Sequence, residues 1–157
     1  MPKRLSSERL SELTERLKRS GLRPTQQRLA LTDLLFTDHD RHVSAEELHQ
    51  EALRHGVSVS LATVYNTLNR LQSVGLLREV VVDSSKSYFD TKLSTHAHVY
   101  NEETGDLMDA PLCLRPEVLA ALAPEGTEAV GFEVIVRVRS VSGGDTRVTA
   151  EQLVTRG

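Results

Sequence analysis

Near residue 78 the chain changes its hydrophobic period, and this restricts the fold more than any other feature. Before that point apolar residues recur three and four positions apart in short capped runs; after it they alternate. Helices therefore come first and strands second, which predicts an α+β chain with its boundary between residues 78 and 92. A length of 157 residues suits one ordinary domain or two small ones with modest cores and argues against a large enzyme.

The first run, residues 4–19, sets Leu5, Leu10, Leu13 and Leu17 on one stripe and ends at Gly21. Pro24 and Thr25 open a second helix through about Thr37, with Leu31, Leu34 and Leu35 inward. Ser44 caps a third, with Glu47 as its capping-box partner and Ala45, Leu48 and Ala52 as its buried row, and Gly56 ends it. The fourth starts at the cap Ser60, buries Leu61, Val64, Leu68 and Leu71, and stops before Gly75.

The outer face of that fourth helix carries Ala62, Thr63, Tyr65, Asn66, Asn69 and Arg70, with no acid among them. Small residues permit close approach to a major groove, amides and Arg read base edges, and hydroxyls meet phosphate. An ordinary solvated face would look similar in isolation. The context favours the groove: Leu76–Val82 and Ser87–Asp90 are β-rich runs joined by Asp83-Ser84-Ser85-Lys86. Helices followed by such a hairpin make a winged helix-turn-helix, with Lys86 beside the nucleic acid backbone. Charge agrees weakly. Residues 1–78 hold 12 Lys and Arg against 9 Asp and Glu, and residues 79–157 hold 7 against 13, within a net charge of −3.

After the boundary, Lys92–Tyr100 leads through a turn at residues 101–105 to a strand at 106–110, and a short helix follows at about 115–123. Phe132, Val134, Val136 and Val138 then alternate with Glu133, Ile135, Arg137 and Arg139 as a third strand. Three strands and one helix bury too little to stand alone, so a second copy is expected to pair here. This divides the chain into a winged-helix DNA-binding domain (1–90), a dimerisation and sensing domain (91–140) and a polar, mobile tail (141–157). No run of about 18 apolar residues and no leader marks the chain for a membrane or export, so cytoplasmic residence is expected.

The sensing chemistry is read from His96-Ala97-His98, because residues i and i+2 of a strand project to one face and can offer two imidazoles to one ion. An exposed or hydrogen-bonded pair of histidines is the commoner meaning of that pattern. Carboxylates at Asp90 and Asp109 improve the metal reading. His39, His49 and His55 read as surface or capping residues.

The segments Gly21–Arg28 (GLRPTQQR), Ser44–His49 (SAEELH) and Ser60–Leu68 (SLATVYNTL) resemble the ferric uptake regulator family, and the similarity continues through Asp109 and more loosely to about Arg139. Within it, LATVYNTL, KSYFDT and the lack of cysteine pairs are most similar to the iron response regulators of α-proteobacteria. The resemblance implies that Tyr65 contacts bases and that Arg23 or Arg28 sets the helix on phosphates. The expected contacts with a double-stranded operator are therefore Arg23, Arg28, Ser60, Ala62, Thr63, Tyr65, Asn66, Asn69, Arg70 and Lys86. It also maps His42, Asp90, His96, His98 and Asp109 onto the family's regulatory metal site.

Three imidazoles and two carboxylates without sulfur suit Fe²⁺ or Mn²⁺, with zinc a tighter competitor in vitro. Asp at both carboxylate positions is similar to the peroxide-sensing branch, in which iron-dependent oxidation falls on the histidines. Haem is an alternative signal but a disfavoured one, because this chain lacks the Cys-Pro and the three consecutive histidines of haem-responsive relatives. A second family metal site would need ligands where Thr95 and Ala97 stand. A metal-dependent hydrolase could use the same five residues, but no nucleophile or general-base motif accompanies them. A protein-interaction module that merely borrows the winged helix is a further alternative.

The expected species is a homodimeric repressor or dual regulator without structural zinc. Many family members hold that zinc with paired cysteines, whereas Asn101 and Thr104 occupy the first pair's positions and Cys113 is the single thiol. Dialysis against a chelator should remove all metal while the protein stays dimeric on a sizing column; retained stoichiometric zinc, or a monomer after stripping, would contradict this.

Overall fold

The structure, a computed structural model, describes residues 6–112 and 115–141. They form two compact units that divide between Leu93 and Ser94. The architecture is α+β, and no helix among the described residues is long and apolar enough to cross a membrane.

The first unit contains α1 (Ser7–Arg19), α2 (Gln26–Leu35), β1 (His42–Val43), α3 (Ala45–Arg54), α4 (Leu61–Ser73), β2 (Arg78–Asp83) and β3 (Lys86–Asp90). Each helix starts where a hydroxyl can accept an orphan amide: Ser6 from Arg9, Thr25 from Arg28, Ser44 from Glu47 and Ser60 from Thr63. Around Ser44 both halves of the capping box form, since Glu47 also accepts the Ser44 amide at 2.7 Å. The stop after α4 requires a left-handed residue: Gly75 has φ 75°, which lets Leu76 N–H reach the Leu71 carbonyl at 2.9 Å. Gly56 closes α3 in the same way.

The inward faces of these helices meet β3 in one core, built on Leu17, Leu31, Leu35, Leu48, Leu68 and Leu71 with Val43 and Phe89 from the sheet. Several features of this unit differ from the sequence reading. The first helix starts at Ser7, and Leu10 is 41% exposed whereas Leu13 is fully buried. A helix on the rim of a small core buries a narrow stripe only, and Arg9 instead ties this turn to Asp33. Leu5 and Cys113 lie outside the described residues, as does the tail beyond Val141. The second helix ends at Leu35 rather than Thr37, because the chain turns toward β1. Finally, the wing is a three-stranded sheet of order β1-β3-β2, not a lone hairpin. Two residues of strand were too few to register as alternation.

The second unit holds β4 (His98–Asn101), β5 (Leu107–Asp109), α5 (Pro116–Leu122) and β6 (Ile135–Val138), with sheet order β5-β4-β6. β5 runs antiparallel to β4, and β6 runs parallel to it after the crossover through α5. The expected strands 92–100 and 132–138 are shortened to four residues each. Their ladder is limited by mutual register, in which His98 opposes Ile135 and Asn101 opposes Val138. His96 therefore precedes the strand, which corrects the expectation of an in-strand i, i+2 pair.

The two leucines of α1 separate burial from periodicity. Leu13→Ala should cost about 2–5 kcal/mol, as for truncation of a fully buried leucine. Leu10→Ala should cost under about 1 kcal/mol. Urea midpoints of the two variants check this, and equal losses would refute the placement of the stripe.

Candidate metal-ligand clusters and nucleic-acid face

In the first unit, the pairing of β1 with β3 puts His42 opposite Asp90, and Val43 opposite Phe89. The His42 Nε2 lies 3.5 Å from one Asp90 carboxylate oxygen, and the other oxygen accepts the Lys92 amide at 2.8 Å. Asp90 is fully buried. A buried carboxylate is costly without donors or a cation around it, so its place between an imidazole and an amide is chemically consistent.

The strand carrying His42 is fastened on both sides. Arg41 N–H donates to the Thr91 hydroxyl at 2.9 Å, and Thr91 N–H donates to the Arg41 carbonyl at 3.1 Å. The Arg41 guanidinium forks onto both Glu51 oxygens at 3.2 and 2.7 Å and also donates to the Leu34 carbonyl. β1 is thus tied to the end of α2 and to α3, a support that the sequence reading missed. An arginine next to a candidate ligand was the available signal, but its partner lies ten residues away on another element.

In the second unit, His98 faces Asp109 across β4 and β5. The His96 and His98 rings lie 4.4 Å apart, both buried. His96 Nδ1 is 2.6 Å from the Ser94 carbonyl. A carbonyl can only accept, so Nδ1 carries a proton, and in the neutral ring Nε2 offers a lone pair. That Nε2 lies 3.0 Å from an Asp109 oxygen. In that neutral form the two electron-rich atoms directed at the same space fit a shared cation, and 3.0 Å is the separation of two donors at right angles on an ion with bonds of about 2.1 Å. His49, by contrast, places Nε2 3.0 Å from the Val59 carbonyl, a structural contact between α3 and the start of α4.

On α4, the residues expected to read DNA divide by exposure. Ala62, Tyr65, Asn66, Asn69 and Arg70 are exposed, whereas Thr63 is half-buried with its hydroxyl 2.9 Å from that of Ser60. Both of these hydroxyls thus serve the helix start. Lys86 is the first residue of β3 rather than the hairpin tip, and its ammonium lies over the Tyr88 ring at 5.4 Å. The turn itself is Ser84-Ser85, held by Asp83. Arg23 is exposed, and its carbonyl accepts from the Arg28 guanidinium.

A neighbouring helix adds to the α4 face. That face is acid-free along α4 itself, but Glu46 from the first turn of α3 reaches it, and the Tyr65 hydroxyl donates to a Glu46 oxygen at 2.7 Å. That bond, helped by slight burial and by the carboxylate charge, holds the Tyr65 pKa above its ordinary value. Tyr65, Asn69, Glu46, Glu79 and Lys86 line one cleft.

Comparison with known proteins agrees with this anatomy. Residues 19–131 match the family model described as "Ferric uptake regulator family". A peroxide-responsive repressor, PerR, of Staphylococcus aureus (strain Mu50) is 32% identical over 100 residues, covering 64% of this chain and 67% of the relative. PerR of Staphylococcus epidermidis matches at the same identity, over 66% of its length. Among solved structures, the ferric uptake regulator of Vibrio cholerae superposes with a TM-score of 0.70 at 24% identity, over 81% of this chain and 98% of that one. The Pseudomonas aeruginosa regulator with manganese gives 0.62 at 24% identity, over 82% and 98%. The latter two likenesses concern the fold. With the family model spanning well over half its length, the chain belongs to the ferric uptake regulator family, whose members are metal-responsive transcriptional regulators that bind DNA as dimers and not enzymes.

Proposed function

We propose that this chain is a homodimeric regulator of iron homeostasis in which His42, Asp90, His96, His98 and Asp109 hold one Fe²⁺ or Mn²⁺. The observation that carries this reading is His96, whose Nδ1 is committed to the Ser94 carbonyl while Nε2 faces the Asp109 carboxylate. Each unit alone supplies only two or three donors, and six-coordinate ions of this class take more. When bound, the ion supplies a charge that draws these ligands together. Arg41 and Thr91 then link His42 to the rest of the winged helix, because they hold its strand against α3, which packs on the reading helix α4.

In this reading residues 1–90 form the DNA-binding domain and 91–140 the dimerisation and sensing domain. Arg23, Arg28, Lys86 and the α4 face meet the operator, with Arg and Lys on phosphates and Tyr65, Asn66, Asn69 and Arg70 at base edges. Val136, Val138, Leu122 and Val130 are exposed in the single chain and supply apolar area for the second copy. Placement among the iron response regulators rests on LATVYNTL, KSYFDT and the lack of cysteine pairs, and Lys86–Asp90 of the second motif form β3, which carries Asp90.

A second reading, peroxide sensing at the same ligands, is favoured by the relatives named as peroxide-responsive repressors and by aspartate at both carboxylate positions. The test uses a palindromic fragment selected by the protein from a randomised pool, with metal-free, Mn²⁺-loaded, Fe²⁺-loaded and haem-treated protein. Metal should change operator affinity by about 5–150-fold, the usual range of coupling between two sites. Identical affinity in all four states overturns the metal-responsive reading. Loss of the Fe²⁺ response, but not the Mn²⁺ response, after peroxide treatment assigns the signal to peroxide.

If His42 couples ion to operator, His42→Ala should bind metal at least about tenfold more weakly, and the metal dependence of its operator affinity should fall to near unity. The variant should remain dimeric, because the second unit keeps its own sheet. A metal response equal to the parent's would exclude His42 from the coupling.

A further inference from the structure

A phenol has one proton to give and two lone pairs to offer. In Tyr65 the proton is already placed: the hydroxyl donates to Glu46 Oε1 at 2.7 Å, across 19 positions of sequence and between two helices. The acceptor is a carboxylate, and such charge-assisted bonds are roughly twice as strong as neutral ones. Turning the hydroxyl away to donate to a neutral base oxygen would exchange the stronger bond for a weaker one. Tyr65 therefore presents lone pairs outward, and the second Glu46 oxygen adds another acceptor beside it.

In the major groove, only cytosine N4 and adenine N6 present donor hydrogens; guanine offers N7 and O6, and thymine offers O4 and a methyl group. Lone pairs opposite guanine or thymine oxygens repel, whereas an exocyclic amine completes the arrangement. We propose that Glu46 is a specificity-determining residue: by taking the Tyr65 hydroxyl proton it makes Tyr65 an acceptor that selects an exocyclic amine, cytosine N4 or adenine N6, at the base that its tip meets.

The carboxylate also carries a cost, which explains why such a residue is informative on a DNA-facing surface. A negative charge near phosphates weakens binding to every sequence. Glu46 thus lowers affinity overall and restores it only where an amine meets the acceptor pair, which is discrimination by penalising the wrong partner. Glu79 on β2 lines the same cleft and adds to the penalty, while Lys86 offsets part of it. This inference rests on the proposed placement of α4 in the groove.

The test compares the full-length parent with Glu46→Ala, Tyr65→Phe, the double variant and Tyr65→Ala, each selecting from a half-site pool randomised at every position. The parent should show one position where cytosine or adenine is preferred over thymine and guanine by about fivefold, the ratio that one net hydrogen bond gives. The enriched base tells which amine is read. In Glu46→Ala and in Tyr65→Phe that preference should fall below about twofold, and the double variant should lose no more than either single one, since the two residues act as a unit. Glu46→Ala should also bind all sequences about two- to fivefold more tightly at low salt, an advantage that fades as salt rises. A uniform gain in affinity with the base preference intact would overturn the proposal and leave Glu46 a simple repulsive charge. Parent-like binding by Tyr65→Ala on every sequence would instead overturn the groove placement itself, a distinct result.

Discussion

The first unit depends on one short piece of backbone pairing. Two residues, His42 and Val43, join β3, and the reciprocal bonds of Arg41 and Thr91 extend that pairing by one step. A two-residue strand has little stability of its own. It persists because Val43 is fully buried in the helical core and because Arg41 clamps α2 and α3. The same pairing carries His42 to Asp90. Core packing, wing and candidate ligand pair are thus one construction, and a shift of β1 would disturb all three.

In the metal site proposed above, that construction would supply the two ligands from the winged helix. Asp90 sits on the central strand of its sheet, in register with both His42 and Arg78, and it is fully buried there. Such a position suits a ligand whose displacement must be felt elsewhere. From β1 the connection runs through Arg41 and Glu51 into α3, and α3 packs against α4. In the second unit the corresponding position is on β4, the middle strand, which sets His98 against Asp109.

The face of α4 shows why chemistry is incompletely legible from one helix at a time. Its polar residues were readable from spacing, since Val64, Thr67, Leu68 and Leu71 turn inward and leave Tyr65, Asn66, Asn69 and Arg70 outside. What that face can recognise depends on a neighbour. Glu46 belongs to another helix and reads, in sequence, as a routine acidic residue in a first turn that favours negative charge. Only the packing of α3 on α4 turns it into the acceptor of the Tyr65 proton.

The sequence by itself determined the elements whose causes are local. Hydroxyl caps, the Ser44–Glu47 capping box, the glycine stops and the apolar row of α3 follow from residues three to five positions apart, and the structure has them as expected; in α4 Val64, Leu68 and Leu71 are buried as expected, while Leu61 is half-buried and Thr67 joins the row. The α+β class followed from the change of period, and membership of the family from motifs carried on those same helices. Tertiary structure decided what depends on distant partners. It set β1 as a strand, exposed Leu10, began β4 at His98 instead of Lys92, and brought Glu46 to Tyr65. Strand limits and buried stripes are fixed by what lies opposite, and in this chain the partners are 10 to 50 residues away. Hydrophobic period reports which face a residue occupies, but not which side chain will meet it there.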